Sequence, residues 1–138
     1  MTAVGARVDC VTAMVERMNA GDLDGYMSGY ASTVVLHGYP EGVTDFDSLR
    51  GSYRQLLDAL DGVRVEILRA VEQDDVVALQ FVLQGRHTGE LMGAAPTGRG
   101  LALSGATFLR FQDQLIVERW QHADDLGLMQ QLGLLPPA

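Results

Sequence analysis

Trp120, Gln121, His122, Asp124 and Asp125 fall close together in the run QLIVERWQHADDLGLMQQLGLLPP, residues 114–137. His122 is the first candidate for a general acid or base, because an imidazole exchanges a proton near neutral pH without tuning. Asp124 is the second. Its competing role is to cap a helix, where amide donors hold the carboxylate as an anion and make it a poor proton donor. Asp125 is the alternative cap, and if it caps, Asp124 is freer to act. His37 follows an apolar strand and precedes Gly38-Tyr39-Pro40. It either faces a pocket and assists the proton transfer, or closes its strand by bonding to backbone.

A second group of residues could hold a substrate. Trp120 and Phe108 make an aromatic wall on which a flat polycyclic molecule would stack, or else they are core. Arg110 can bind a carboxylate or enolate, or pair with Glu118 or Asp113. His87, in Arg86-His87-Thr88-Gly89, can contact ligand or sit at a hairpin edge. Tyr26, Tyr30 and Tyr53 can supply hydroxyls. The three histidines lack the spacing of a metal-binding helix, and neither GxGxxG nor GxxxxGK[ST] occurs, so neither a metal nor a phosphate-bearing cofactor is expected.

These residues need elements to position them. Residues 5–19 place Val8, Val11, Val15 and Met18 on one helical face. Asp22 caps a short second helix carrying Leu23, Tyr26 and Met27. Residues 33–37 read as a strand. Asp45 or Asp47 caps a third helix with Phe46, Leu49, Tyr53, Leu56 and Leu60 inward, and Asp61-Gly62 reads as a turn. Four strands follow, at 63–73, 75–87, 98–112 and 114–122. Short joins make them antiparallel neighbours in a meander. Asp124 then opens a closing helix with Leu126, Met129 and Leu132 on one face, ended by Gly133 and Pro136-Pro137.

Helices segregated from a meander define an α+β domain spanning residues 1–138. In that meander His87 and His122 lie toward one sheet edge, roughly 10 Å apart at two strand spacings. Glu118, Trp120, His122 and Asp124 share parity on the last strand. If that face is concave, an acid, an indole and an imidazole line the cavity. Val76–Val82 is apolar at odd and even positions alike, so both sheet faces need cover. Helices cover one, and a second copy of the chain covers the other, giving a homodimer through the open sheet face.

The net charge is −8, and the ten basic residues are all arginines scattered among more numerous acids. A nucleic-acid partner would need them clustered. No run approaches the roughly 18 apolar residues of a membrane span, and the N-terminus lacks the pattern of a secretory signal. Cys10 has no second cysteine to pair with, which fits a reducing cytoplasm.

Four segments carry a resemblance: LHG at 36–38, GRHTGELMGAAPTGR at 85–99, FLRFQDQLIVERW at 108–120 and DDLGLMQQLG at 124–133. Together, and in this order, they resemble the SnoaL-like polyketide cyclase family over about residues 8–135. The resemblance implies the cone-shaped α+β barrel of nuclear transport factor two-like proteins, with a curved sheet wrapped by three to four helices around an internal pocket. It also implies dimers. The family's characterised cyclases close a ring of an aromatic polyketide ester by an aldol reaction. They use an Asp as acid/base near a His, without metal or cofactor. In this chain the Asp position is Gln121 and the His position is Thr107, while Arg110 and Asp124 match the family's general pattern. Other members are linked to hydroxylation of polyketides.

Three readings follow. The first is an enzyme of secondary metabolism that cyclises or isomerises a hydrophobic, polyketide-derived substrate by acid/base chemistry. Its proton carriers would be His122, Asp124 and His37, with Trp120, Phe108, Arg110, His87 and Glu118 holding the substrate. The second is a hydroxylase-type relative, and the third a noncatalytic protein that binds a small molecule in the same pocket.

Overall fold

The computed structural model describes residues 5–136. Its elements run α1 (Ala6–Asn19), α2 (Leu23–Met27), β1 (Tyr30–His37), α3 (Phe46–Ala59), β2 (Leu60–Gln73), β3 (Val76–His87), β4 (Gly100–Gln112), β5 (Leu115–Ala123) and α4 (Asp125–Gln131). The strands form one sheet in the order β1-β5-β4-β3-β2, antiparallel except where β1 pairs β5 in parallel. The expected α+β meander with an added N-terminal strand is therefore present.

The caps explain where the helices begin. Asp22 accepts from the Gly25 amide at 2.9 Å. Asp45, not Asp47, caps α3, and it forms a reciprocal capping box with Ser48. The helices pack on one face of the sheet. Val11, Met14 and Met18 of α1, Leu23 and Met27 of α2 and Leu49 of α3 are buried there against Val77, Leu79, Phe81, Leu109 and Ile116. Each such side chain contributes about 1.5–3 kcal/mol by leaving water. A second cluster joins Leu128 and Leu132 of the C-terminal segment to Leu60, Leu83 and Leu101.

Three expectations shift. Leu60 begins β2 instead of ending α3, and Asp61-Gly62 is an irregularity inside β2, between the pairs Asp61–Arg86 and Arg64–Gln84. Gly62 takes a left-handed φ of 63°, which accommodates an extra residue in the strand without reversing the chain. The buried pair is Leu128 in α4 and Leu132 at its C-cap, while Leu126 is 60 % exposed, because the Asp124 cap starts the helix at Asp125 and so sets its phase. Gly133 follows with a φ of 77°, and Pro137 lies outside the described residues.

Candidate active site

The face that β5 turns inward is set by one residue. Arg110 of β4 pairs with Glu118, but its neighbour Phe111 pairs with Ile116, so Val117 is an extra residue in β5. The parallel pairing with β1 slips at the same place. Ile116 points inward and is fully buried. In an unbroken strand Glu118, Trp120 and His122 would follow it into the interior. The bulge reverses that parity, so Arg119, Gln121 and Ala123 line the interior instead.

The interior holds a cavity of about 520 Å³ with mostly apolar walls, among them Val11, Met14, Leu79, Phe81, Leu83, Leu103 and Leu128. Arg119 belongs to its lining and is only 6 % exposed. Its Nε donates to Thr107 Oγ1 at 3.1 Å and its Nη2 to Gln121 Oε1 at 2.8 Å. Its Nη1 donates to the hydroxyls of Tyr26 at 3.0 Å, Tyr53 at 2.9 Å and Tyr30. The Tyr39 ring lies 5.9 Å from the guanidinium carbon. All four tyrosines of the chain thus gather on one arginine.

No carboxylate pairs with Arg119 among the described residues. Burial works against its charge, but the surrounding tyrosines more than offset this, and the guanidinium stays protonated. Burial is also the main cause that pushes the Tyr26, Tyr30 and Tyr39 hydroxyls up, with Arg119 opposing it in each. At neutral pH these phenols are hydrogen-bonding groups, not bases. The Tyr39 hydroxyl lies near that of Tyr53 but outside hydrogen-bonding geometry, and it is buried without a partner.

Gln121 and Thr107, the positions matching the family's Asp and His, are direct cross-strand partners, and both line the cavity. Neither side chain can exchange a proton near neutral pH. Gly38 sits against this pair with a φ of 81°. A Cβ there would lie 2.0 Å from the Gln121 carbonyl oxygen, so only glycine lets β1 approach so closely.

The expected proton carriers lie elsewhere. His37 and Glu118 join through Nε2 and Oε2 at 2.7 Å, and Arg110 donates to the other oxygen of Glu118 at 3.1 and 3.0 Å. These two contacts, His37 first, hold the Glu118 carboxyl below its usual range. The His37 ring stacks on Trp120 at 5.2 Å. Cross-strand register runs Val71, Ala78, Phe108, Trp120, His37, so the aromatic wall exists but stands on the outer face of the sheet. His122 is exposed, and with Phe108 and Asp124 it borders a shallower outer depression. Asp124 accepts from the Gly127 amide at 2.9 Å and is the helix cap. Asp125, released from capping, lines the cavity.

His87 is also not near His122. His122 aligns through Ala106 with Gln80, seven residues before His87 on β3, or about 23 Å along the strand. β5 pairs only with the second half of β4, so the two strand ends do not share an edge. His87 is fully buried, and its Nδ1 accepts from the Thr97 amide at 3.1 Å. It lies outside the cavity lining. Tyr26, Tyr30 and Tyr53 do line the cavity. Arg119 was hidden among ten scattered arginines, and its only sequence signal was its parity with Gln121.

Among the described residues no group of three or more His, Cys, Asp or Glu could hold a metal ion, and no helix is long and apolar enough to cross a membrane.

Comparison with known proteins gives consistent neighbours. The chain is 32 % identical over 132 residues to the aklanonic acid methyl ester cyclase AcmA of Streptomyces galilaeus, covering 88 % of this chain and 89 % of that one. It is 32 % identical over 125 residues to the nogalonic acid methyl ester cyclase of Streptomyces nogalater, covering 87 % and 92 %. Among solved structures it superposes on AclR, a candidate hydroxylase of Streptomyces galilaeus, with a TM-score of 0.89 at 27 % identity, over 99 % of this chain and 86 % of that one. IdmH, a candidate polyketide cyclase of Streptomyces antibioticus, gives 0.79 at 27 % identity, over 93 % and 99 %. The model of the SnoaL-like polyketide cyclase family matches residues 8–132, and the chain belongs to that family.

Proposed function

We propose that this protein catalyses ring closure or isomerisation of a hydrophobic, polyketide-derived substrate by acid/base chemistry in the inner cavity. One observation carries the reading: a buried guanidinium without a carboxylate partner among the described residues sits in an apolar chamber large enough for a fused-ring molecule. Removing a proton from carbon next to a carbonyl sends the electron pair to the carbonyl oxygen. A fixed cation and phenol donors in a dry site stabilise that developing charge and need no rearrangement. The enolate carbon then attacks a second carbonyl of the same molecule and closes the ring. This sequence leaves the overall oxidation state unchanged and so calls for no redox cofactor.

Gln121 and Thr107 cannot move the proton. Of the two carboxylates that line the cavity, Glu41 and Asp125, Asp125 is the base in this reading. The test is to incubate the purified protein with an aromatic polyketide methyl ester of the kind named for the two cyclase relatives, without oxygen or NADPH. A product of unchanged mass with one new ring supports the reading, and Asp125→Asn should slow its formation about 10²–10⁴-fold.

The likeness to AclR favours a second reading, hydroxylation, for which the product would gain one oxygen atom and require O₂. Binding without turnover would leave a noncatalytic binding protein. We further propose that a second copy covers the outer sheet face, where Val71 is 64 % and Phe108 45 % exposed. Light scattering on the wild type and on Phe108→Glu tests this, with a dimer expected only for the first. The single thiol, Cys10, fits a cytoplasmic site of action.

A further inference from the structure

The inner end of the cavity has more hydrogen-bond donors than acceptors. A guanidinium has five N–H bonds, of which Nη2 carries two. One of these goes to Gln121, and the other has no acceptor among the described residues. The tyrosine hydroxyls form a chain: Tyr26 donates to Tyr53 at 3.0 Å, so in the 2.7 Å contact with Tyr26 the proton comes from Tyr30. Tyr53 ends that chain, and the Tyr39 hydroxyl near it is buried with no hydrogen-bond partner among the described residues. Gln121 turns its carbonyl oxygen to Arg119, which leaves its amide hydrogens as the group it presents elsewhere. A neutral ketone would accept from such a group of donors but leave the buried charge unbalanced, and buried charges are rarely left without a counterion.

We propose that the ligand of this cavity is an anion: a flat apolar body carrying one ionised oxygen, from an acidic phenol, an enol or a carboxylic acid, seated against Arg119. This rests on the reading that the cavity is the substrate site, and it adds the substrate's charge. Substrate that enters already ionised makes the guanidinium a selectivity device as well as a stabiliser of charge formed in the reaction. The carboxylates of Glu41 and Asp125, which also line the cavity, repel the same anion and so disfavour binding away from Arg119.

Four probes test it by fluorescence or absorbance titration of the intact protein: 2-naphthoate and its methyl ester, and a hydroxynaphthoquinone and its methyl ether. Each anion should bind at least about tenfold tighter than its neutral methylated partner. On binding, the hydroxynaphthoquinone absorbance should titrate at least about one pH unit lower, since tenfold tighter binding of the anion is linked to one unit. Preference in the naphthoate pair alone identifies a carboxylate, and in the quinone pair alone a phenol or enol. Arg119→Met should erase the preference while neutral probes still bind. If that variant does not fold, Gln121→Glu decides, because a carboxylate oxygen in place of Gln121 Oε1, 2.8 Å from Arg119, supplies the missing counterion internally and should cancel the preference. Equal binding of charged and neutral probes, or a preference that survives these variants, overturns the proposal. Failure to turn over a polyketide ester would leave this binding result standing, so the two ideas fail separately.

Discussion

The two faces of β5 carry similar residue types and treat them in opposite ways. On the outer face Arg110, Glu118 and His37 form a network between cation, anion and imidazole, with His37 44 % and Arg110 39 % exposed at the side chain. Solvent screens that network, and pairs of this kind contribute little to stability. On the inner face Arg119 has no anion among the described residues, and neutral hydroxyls and an amide surround it. An exposed charge is adequately solvated whether or not it is paired. A buried one retained without a partner is costly. The difference favours placing the proposed chemistry where the charge is unbalanced, not where titratable residues are densest.

Paired substitutions on the two faces sharpen the comparison. Arg119→Met should lower kcat about 10²–10³-fold, the size of effect seen when a preorganised donor to an oxyanion is removed. His122→Ala, on the exposed face, should change kcat less than about twofold. Steady-state rates on a ring-closing substrate measure both. A large loss in His122→Ala would restore His122 as a proton carrier and overturn the assignment of faces.

Much of this was legible in the sequence. Every helix and strand was visible in caps such as Asp22 and Asp45, in the helical spacing of Val8, Val11, Val15 and Met18, and in apolar runs such as Val76–Val82, because caps and apolar patterns act locally. Parity along β5 was also read correctly: Glu118, Trp120 and His122 do share a face. Which face they share was not legible. It depends on a single extra residue, and Val117 is an ordinary strand former whose bulging is decided by pairing with β4 and β1. The convergence of four tyrosines on Arg119 was invisible for a related reason. Tyr26 comes from α2, Tyr30 from β1, Tyr53 from α3 and Tyr39 from the loop after β1, so only packing brings them together.

Gly38 offers a smaller test from the inner side. Gly38→Ala adds a Cβ 2.0 Å from the Gln121 carbonyl oxygen and demands a left-handed backbone from alanine. The strain should cost about 1–3 kcal/mol. Because β1 must withdraw from β5, Gln121 should shift within the cavity, and ligand affinity should fall along with the melting temperature. Affinity unchanged despite a lower melting temperature would show that Gln121 does not help hold the ligand.

The smallest effect belongs to the outer network. His37 and then Arg110 hold the folded Glu118 carboxyl below its ordinary value of 4.5. A depressed folded pKa contributes stability above the unfolded value, and that contribution is lost as pH falls through the folded one. Glu118→Gln removes this contribution. Its melting temperature should therefore lie slightly below wild type at neutral pH, and the two should converge as pH drops under 4.5, giving the variant the shallower acid limb. Turnover at neutral pH should be unaffected, since none of the three side chains reaches the cavity. Melting curves at closely spaced acidic pH values read the first expectation and a single rate measurement reads the second. A variant that keeps the wild-type acid limb but loses turnover would mean that the outer face takes part in the reaction.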